Sequence, residues 1–282
     1  METDQYKSIE FWQQLLPGFT INEGDSGILS GQAQMPNIAL SREALINEGY
    51  QQFDQVIDAD TLAVLQTGVA RLQKANWQPV FSMLYDPYWA FVASLKNLIV
   101  ASLGDDAKMM PDFWAWYVDP TQEQAGWSPH RDKPGNTLID DGMPQSLTVW
   151  VALTEATPLN GCMYLLPADR DPGYHDYANN TPEVDLQSVR ALTAPAGSVL
   201  MWNQRVFHWG GKSSRRAKLP RMSIAFEFQR GDIPAFNEPL LPLQLFPAFE
   251  LRRKLVGKQI LQYQHMYSYS AELVQIAEAM LS

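Results

Sequence analysis

Two stretches of this chain place apolar residues at every second position, a period that only a β-sheet can bury on one side. In Arg221–Phe228 the side chains of Ile224, Phe226 and Phe228 share one face, and those of Arg221, Ser223, Ala225 and Glu227 share the other. In the second stretch Leu147, Val149, Val151 and Leu153 alternate with Thr148, Trp150 and Ala152. Both predict strands with an apolar face and a mixed face, and Arg221 then looks inward at one end of a polar-faced strand. Three shorter runs complete the pattern. Phe113–Val118 is aromatic and bounded by Pro111-Asp112 and Asp119-Pro120; Cys162–Leu166 follows an Asn160-Gly161 turn signal; Ser198–Asn203 follows Ala196-Gly197. The expectation is a mainly β, meander-like core.

Helical spacing lies on either side of it. Ser8–Leu16 is a short helical piece, and Leu62, Leu65, Val69 and Leu72 mark a longer helix with Asp58 or Asp60 as N-cap. A second helix, from about Pro87, carries Trp89, Val92, Leu95 and Ile99 and stops near Gly104. Phe249, Val256, Ile260 and Tyr263 mark a third, and Ala271–Leu281 a last one. Four prolines between 233 and 247 make that segment an extended arm. Residues 168–185 read as a long loop, either a cover over a site or a tolerated surface insertion. We expect one domain over residues 1–282: an N-terminal arm to 50, bracing helices over 51–110, a β-barrel core with the site over 111–230, and a Pro-rich arm with C-terminal helices over 231–282.

Composition removes several function classes. A net charge of −10 over 282 residues argues against binding a phosphate backbone, so no nucleic-acid partner is expected. The single cysteine, Cys162, rules out an internal disulfide framework and reads as a small buried hydrophobe. No secretory leader and no membrane-length apolar run is found, and the expected location is the cytoplasm. The oligomeric state is left open.

The chemistry-bearing stretch is Gly126-Trp127-Ser128-Pro129-His130-Arg131-Asp132. A histidine and a carboxylate two residues apart point the same way only on an extended backbone. That pair is half of a metal site; a distant second histidine would complete a two-His, one-carboxylate face that leaves the opposite positions open. The chain has four histidines. His175 lies in a Gly/Asp/Asn-rich loop and His265 in a C-terminal helical region, so His208, just after a strand-like run, is the natural third ligand.

Trp127–Asp132, Leu147–Leu153 followed by Asn160-Gly161-Cys162 and Leu165-Leu166-Pro167, and Ala196–Leu200 ahead of His208 together resemble the phytanoyl-CoA dioxygenase-like branch of the iron(II)/2-oxoglutarate-dependent oxygenases. The resemblance runs from about Pro111 to Arg230. It implies a double-stranded β-helix, the jelly-roll or cupin-like barrel, with flanking helices. It also implies a catalytic metal triad of His130, Asp132 and His208, with Arg221 binding the 2-oxoglutarate carboxylate and Trp150 lining the co-substrate pocket. Iron(II), 2-oxoglutarate and O2 would be the cofactors, and a small organic molecule would be hydroxylated with release of succinate and CO2. The chemistry is consistent, because a triad of this kind leaves iron(II) with a charge of about +1, which suits an anionic chelator. A guanidinium is the natural bidentate partner for its far carboxylate. Arg215 and Arg216 compete with Arg221 for that role but lie in the polar segment 212–218. Halogenating relatives lack the carboxylate, so Asp132 favours hydroxylation.

The chain departs from many relatives at Pro167-Ala168-Asp169-Arg170-Asp171 and at Gly210, where a small polar residue is common. Trp114, Trp116, Trp127 and Trp209 either line a substrate pocket or fill the barrel. Arg131, Lys133 and Arg170 either meet an anionic substrate or are ordinary surface charge. Two other readings keep the barrel and discard 2-oxoglutarate: a non-catalytic metal- or ligand-binding module, and a redox-silent metal enzyme.

Overall fold

The structure is a computed structural model that describes residues 4–29, 35, 38–133, 135–178 and 183–282. Among these the helices are α1 (Ile9–Leu15), α2 (Arg42–Asn47), α3 (Ala59–Lys74), α4 (Asp86–Ser94), α5 (Lys96–Leu103), α6 (Phe249–Gln262) and α7 (Ala271–Leu281). The strands are β1 (Gly27–Ile28), β2 (Tyr50–Phe53), β3 (Lys108–Val118), β4 (Ser146–Ala152), β5 (Met163–Leu166), β6 (Arg190–Leu192), β7 (Val199–Asn203), β8 (Phe207–Gly210), β9 (Arg221–Gln229), β10 (Leu241–Pro242) and β11 (Leu245–Phe246).

Two antiparallel sheets form the jelly roll. The larger has the order β10-β3-β9-β4-β7-β2 and the smaller β6-β5-β8. The alternation in β9 and β4 sorts their side chains as a two-sided sheet requires. Ile224, Phe226 and Phe228, with Leu147, Val149 and Val151, join the helices in the principal core. Trp150, Ala152 and Ala225 point the other way and pack with Met163, Leu165 and Trp202. The site lies on that second side.

The helices start where the sequence offers caps. Asp58 accepts a hydrogen bond from the Thr61 amide (2.9 Å), and α3 then buries Leu65, Val69 and Leu72. The single helix expected from Pro87 to Gly104 is instead two, α4 and α5, divided at Leu95. Its apolar stripe spans both pieces, so periodicity alone does not reveal the break. β3 begins at Lys108, five residues before the expected Phe113, and its register with β9 shifts between Met109 and Phe113. That irregularity is what lets Pro111 sit inside a strand, where its missing N–H would otherwise leave the ladder unpaired. β2, in the stretch expected to be helical, has a largely polar sequence because it is the sheet's edge.

No helix among the described residues is long and apolar enough to cross a membrane. Cys162 is fully buried and burial pushes its thiol up to about 11, which suits an inert core position.

Of the long loop after Pro167, residues 179–182 lie outside the described residues. Residues 171–176 are fastened from below. Asp171 pairs with Arg131 at 2.7 Å, both side chains being essentially inaccessible, and Arg205 donates to the carbonyls of Gly173 and Tyr174 (3.0 Å each). Asp171→Ala would leave the Arg131 guanidinium buried without its counter-charge, and should cost about 3–5 kcal/mol. Urea denaturation should show this as a lower midpoint at unchanged slope.

Candidate metal centre

His130 and His208 face each other across an isolated antiparallel bridge, each amide donating to the other's carbonyl at 3.0 Å. The extended backbone at 130 turns Asp132 to the same side. The ligand-type atoms of His130, Asp132 and His208 all lie within 4.8 Å of one another. Both imidazole Nε2 atoms approach the same Asp132 oxygen, Oδ1, at 3.3 and 3.4 Å.

Each remaining polar atom of the three is occupied in a way that aims the free ones at one point. His130 Nδ1 lies 2.6 Å from the Ser128 carbonyl and His208 Nδ1 3.0 Å from that of Val206. A carbonyl accepts only, so Nδ1 carries the proton and Nε2 the lone pair. Asp132 Oδ2 accepts from Thr148 Oγ1 (2.6 Å) and Trp202 Nε1 (3.0 Å). Buried His130 Nε2 has no hydrogen-bond partner. Two neutral nitrogen lone pairs and one carboxylate oxygen converging on one gap fit a divalent transition-metal ion.

The electrostatics agree. Burial chiefly pulls His208 down to about 4. Burial also pulls on His130, but the Asp132 carboxylate 3.3 Å away, with the Ser128 carbonyl and Glu227, carries it above its ordinary value. Burial acts to raise Asp132, yet His208, His130 and Thr148 hold it far below the usual carboxylate range. As pH falls, metal binding therefore competes first with protonation of His130 and only later with that of His208. The affinity for cobalt(II), measured against a competing chelator, should fall about tenfold per pH unit below His130's pKa. The slope should steepen only as His208 begins to protonate near pH 4; a slope of two from the outset would contradict this.

The triad opens on a cavity lined from both sheets. Arg221 stands at one end, 1% exposed. Its Nη1 donates to Ser223 Oγ (2.7 Å), its guanidinium lies 5.6 Å from the Trp150 ring centroid, and Nε and Nη2 have no acceptor. No carboxylate pairs with it among the described residues, and burial lowers it to about 10. The indole Nε1 of Trp150 is likewise buried without a partner. Gly126 and Gly210 meet back to back beside this guanidinium: a Cβ on Gly126 would lie 2.8 Å from Gly210 Cα and 2.9 Å from Arg221 Nη2. Arg215 and Arg216 are exposed, as are His175 and His265.

Trp114, Trp116 and Trp127 line the cavity, whereas Trp209 is stacked on Tyr164 outside it. The three cations considered for an anionic substrate are each beside a carboxylate of the chain. Arg131 is buried against Asp171, Lys133 lies 2.8 Å from Glu227, and Arg170 is at the surface beside Asp169. Thr148, Trp202, Gln204, Asp112, Glu227 and Tyr263 carry no motif, and only the fold brings them to the site. The inward alternation of β4 and β9 is the sequence signal for Thr148 and Glu227.

Residues 84–218 match the family model for phytanoyl-CoA dioxygenase. This segment is phytanoyl-CoA dioxygenase-like. The matched range contains the triad, Trp150 and strands β3 to β8, and ends just before Arg221 and β9. No curated protein matches the chain in sequence. Among solved structures a similar fold recurs in AviO1 from Streptomyces viridochromogenes Tue57, with TM-score 0.53, 16% identity, and coverage of 71% of this chain and 99% of that one. It recurs in the non-heme alpha-ketoglutarate-dependent carbocyclase SnoK from nogalamycin biosynthesis, with TM-score 0.51, 16% identity, and coverage of 76% and 100%. A third is HygX from Streptomyces hygroscopicus, solved with nickel, 2-oxoglutarate and hygromycin B, with TM-score 0.51, 12% identity, and coverage of 71% and 91%. At these identities the likeness is one of fold.

Proposed function

We propose that this protein is an iron(II)- and 2-oxoglutarate-dependent dioxygenase that hydroxylates a small organic molecule. The observation that carries the reading is Arg221, a buried guanidinium without an anionic partner among the described residues, in the same cavity as a His-Asp-His cluster. A buried charge without a partner is costly, and a site that keeps one is built to receive the opposite charge. His130, Asp132 and His208 would hold the iron, and Arg221 would anchor the far carboxylate of 2-oxoglutarate with Trp150 as the pocket wall. When bound, iron(II) with 2-oxoglutarate and O2 supplies the oxidising power, and succinate and CO2 leave.

The rest falls to the chain's own residues. Thr148 and Trp202 hold Asp132 Oδ2, which leaves Oδ1 as the oxygen that would ligate the ion. The Ser128 and Val206 carbonyls hold both imidazoles in the ligating tautomer. Trp114, Trp116 and Trp127 keep bulk water from the cavity. On the same reading residues 1–282 form one oxygenase domain, since residues of α3, α4, α6 and β9 share one core.

The test is an anaerobic titration of iron(II) and then 2-oxoglutarate, expected to produce a visible metal-to-ligand charge-transfer band. Absence of the band in folded protein at saturating ligand would remove the reading and favour a binding module or a redox-silent metal enzyme. The carbocyclase of the same fold shows that the outcome at carbon varies. A product with one added oxygen atom supports hydroxylation, and a product that has only lost two hydrogens contradicts it.

A further inference from the structure

The cavity has a second end, opposite in charge to the first. Arg221 and Glu227 are on the same face of β9, six residues and so about 20 Å apart along the strand. At the Glu227 end the carboxylates outnumber the cations: Asp112 and Glu227 share Lys133, at 3.9 and 2.8 Å. Asp112 is fully used, accepting from Gln262 (2.6 Å), Asn237 (2.8 Å) and Tyr263 (3.3 Å). Glu227 is not. It is 7% exposed, and both its contacts, Lys133 at 2.8 Å and Gln204 Nε2 at 2.7 Å, go to Oε2. Oε1 has no donor among the described residues. Beside it Gln204, fully buried, leaves its own Oε1 without a donor. Burial raises the Glu227 carboxyl to about 8 against the pull of Lys133, so a donor that is positively charged would both satisfy the two free acceptors and return the carboxyl to its ionised form.

The adjoining wall suits the same ligand. Tyr263 stands 4.5 Å from Trp127 and 5.4 Å from Trp114, centroid to centroid. Both indoles donate to Tyr267 Oη, at 2.8 and 3.0 Å, which fixes the rings. Aromatic faces beside a carboxylate attract alkylammonium groups through the ring quadrupole as well as the charge.

We propose that the substrate carries a protonated amine, received by Glu227 Oε1 against the Tyr263–Trp127–Trp114 wall, with the carbon to be oxidised held between it and the triad. This rests on reading the cavity as an oxygenase active site, and the test separates the two. Benzylamine, benzyl alcohol and benzoate share one ring and one length, and their binding to the full-length chain is measured by calorimetry near neutral pH. Benzylamine should bind at least tenfold more tightly than benzyl alcohol. Glu227→Gln should remove that preference, while Arg221→Met should leave it intact. Benzoate should show the reverse pattern, lost in Arg221→Met and kept in Glu227→Gln. Equal affinity for amine and alcohol in the unaltered protein would overturn the proposal and indicate a hydroxyl-bearing substrate, even if Glu227→Gln failed to fold. A benzoate arm that failed alone would count against the Arg221 assignment and leave the amine site standing.

Discussion

Replacing Arg221 by methionine is expected to raise the melting temperature and to abolish saturable 2-oxoglutarate binding, two effects of opposite sign from one substitution. The guanidinium is 1% exposed, has no carboxylate partner among the described residues, and is lowered by burial to about 10. For a cation with a depressed pKa, folding is opposed in full wherever the group is charged in both states. Relief comes only as pH rises past about 10, so at neutral pH the whole penalty, on the order of 3 kcal/mol, is present. Methionine fills similar space without a charge. A gain on the order of 5 °C in thermal unfolding is the expectation, less a small loss at Ser223 Oγ, which loses its donor. Loss of one partner of a buried charge pair should weaken 2-oxoglutarate about 100-fold or more. A variant that melts lower and still binds 2-oxoglutarate would assign Arg221 a structural role instead.

Asp132→Ala should remove metal binding while leaving a folded protein. The carboxylate is the one anionic ligand of the proposed set, and loss of an outer-shell partner alone costs about 10–100-fold in metal affinity. Loss of the ligand itself should therefore cost about 1,000-fold or more, and turnover should fall to the background of free iron. Thr148→Val provides the graded comparison, because it removes only the hydroxyl that orients Asp132 and should cost about 10–100-fold. Thermal unfolding with and without cobalt(II) checks both: the unaltered protein should gain stability on adding metal, Thr148→Val less, and Asp132→Ala none. Equal gains in all three would place the ion elsewhere.

How much of this could be read in the sequence depended on whether the signal was local. The alternation in 147–153 and 221–228 sufficed for the two central strands and for the inward side of Arg221. His130 and Asp132 were legible because two residues on extended backbone share a face. His208 followed by elimination among four histidines. The acidic end was not legible as a cluster, since only the inward side of Glu227 shows in the alternation, while Asp112 comes from another strand and Tyr263 from the end of a helix. Asp112, next to Pro111, looked like a strand boundary when it is inside one. Lys133 was read for its charge alone, and its role as the bridge between two buried carboxylates appears only when the strands are assembled.

Gly126 and Gly210 bear on one more property. A Cβ at either position would meet the opposing backbone and crowd the Arg221 guanidinium, so we infer that the separation between that guanidinium and the triad depends on how closely two main chains approach. On the proposed function, that separation is a ruler for the co-substrate. The length of diacid the protein accepts is then written in two missing side chains, and a methyl group at either position would recalibrate it without touching any residue that contacts iron.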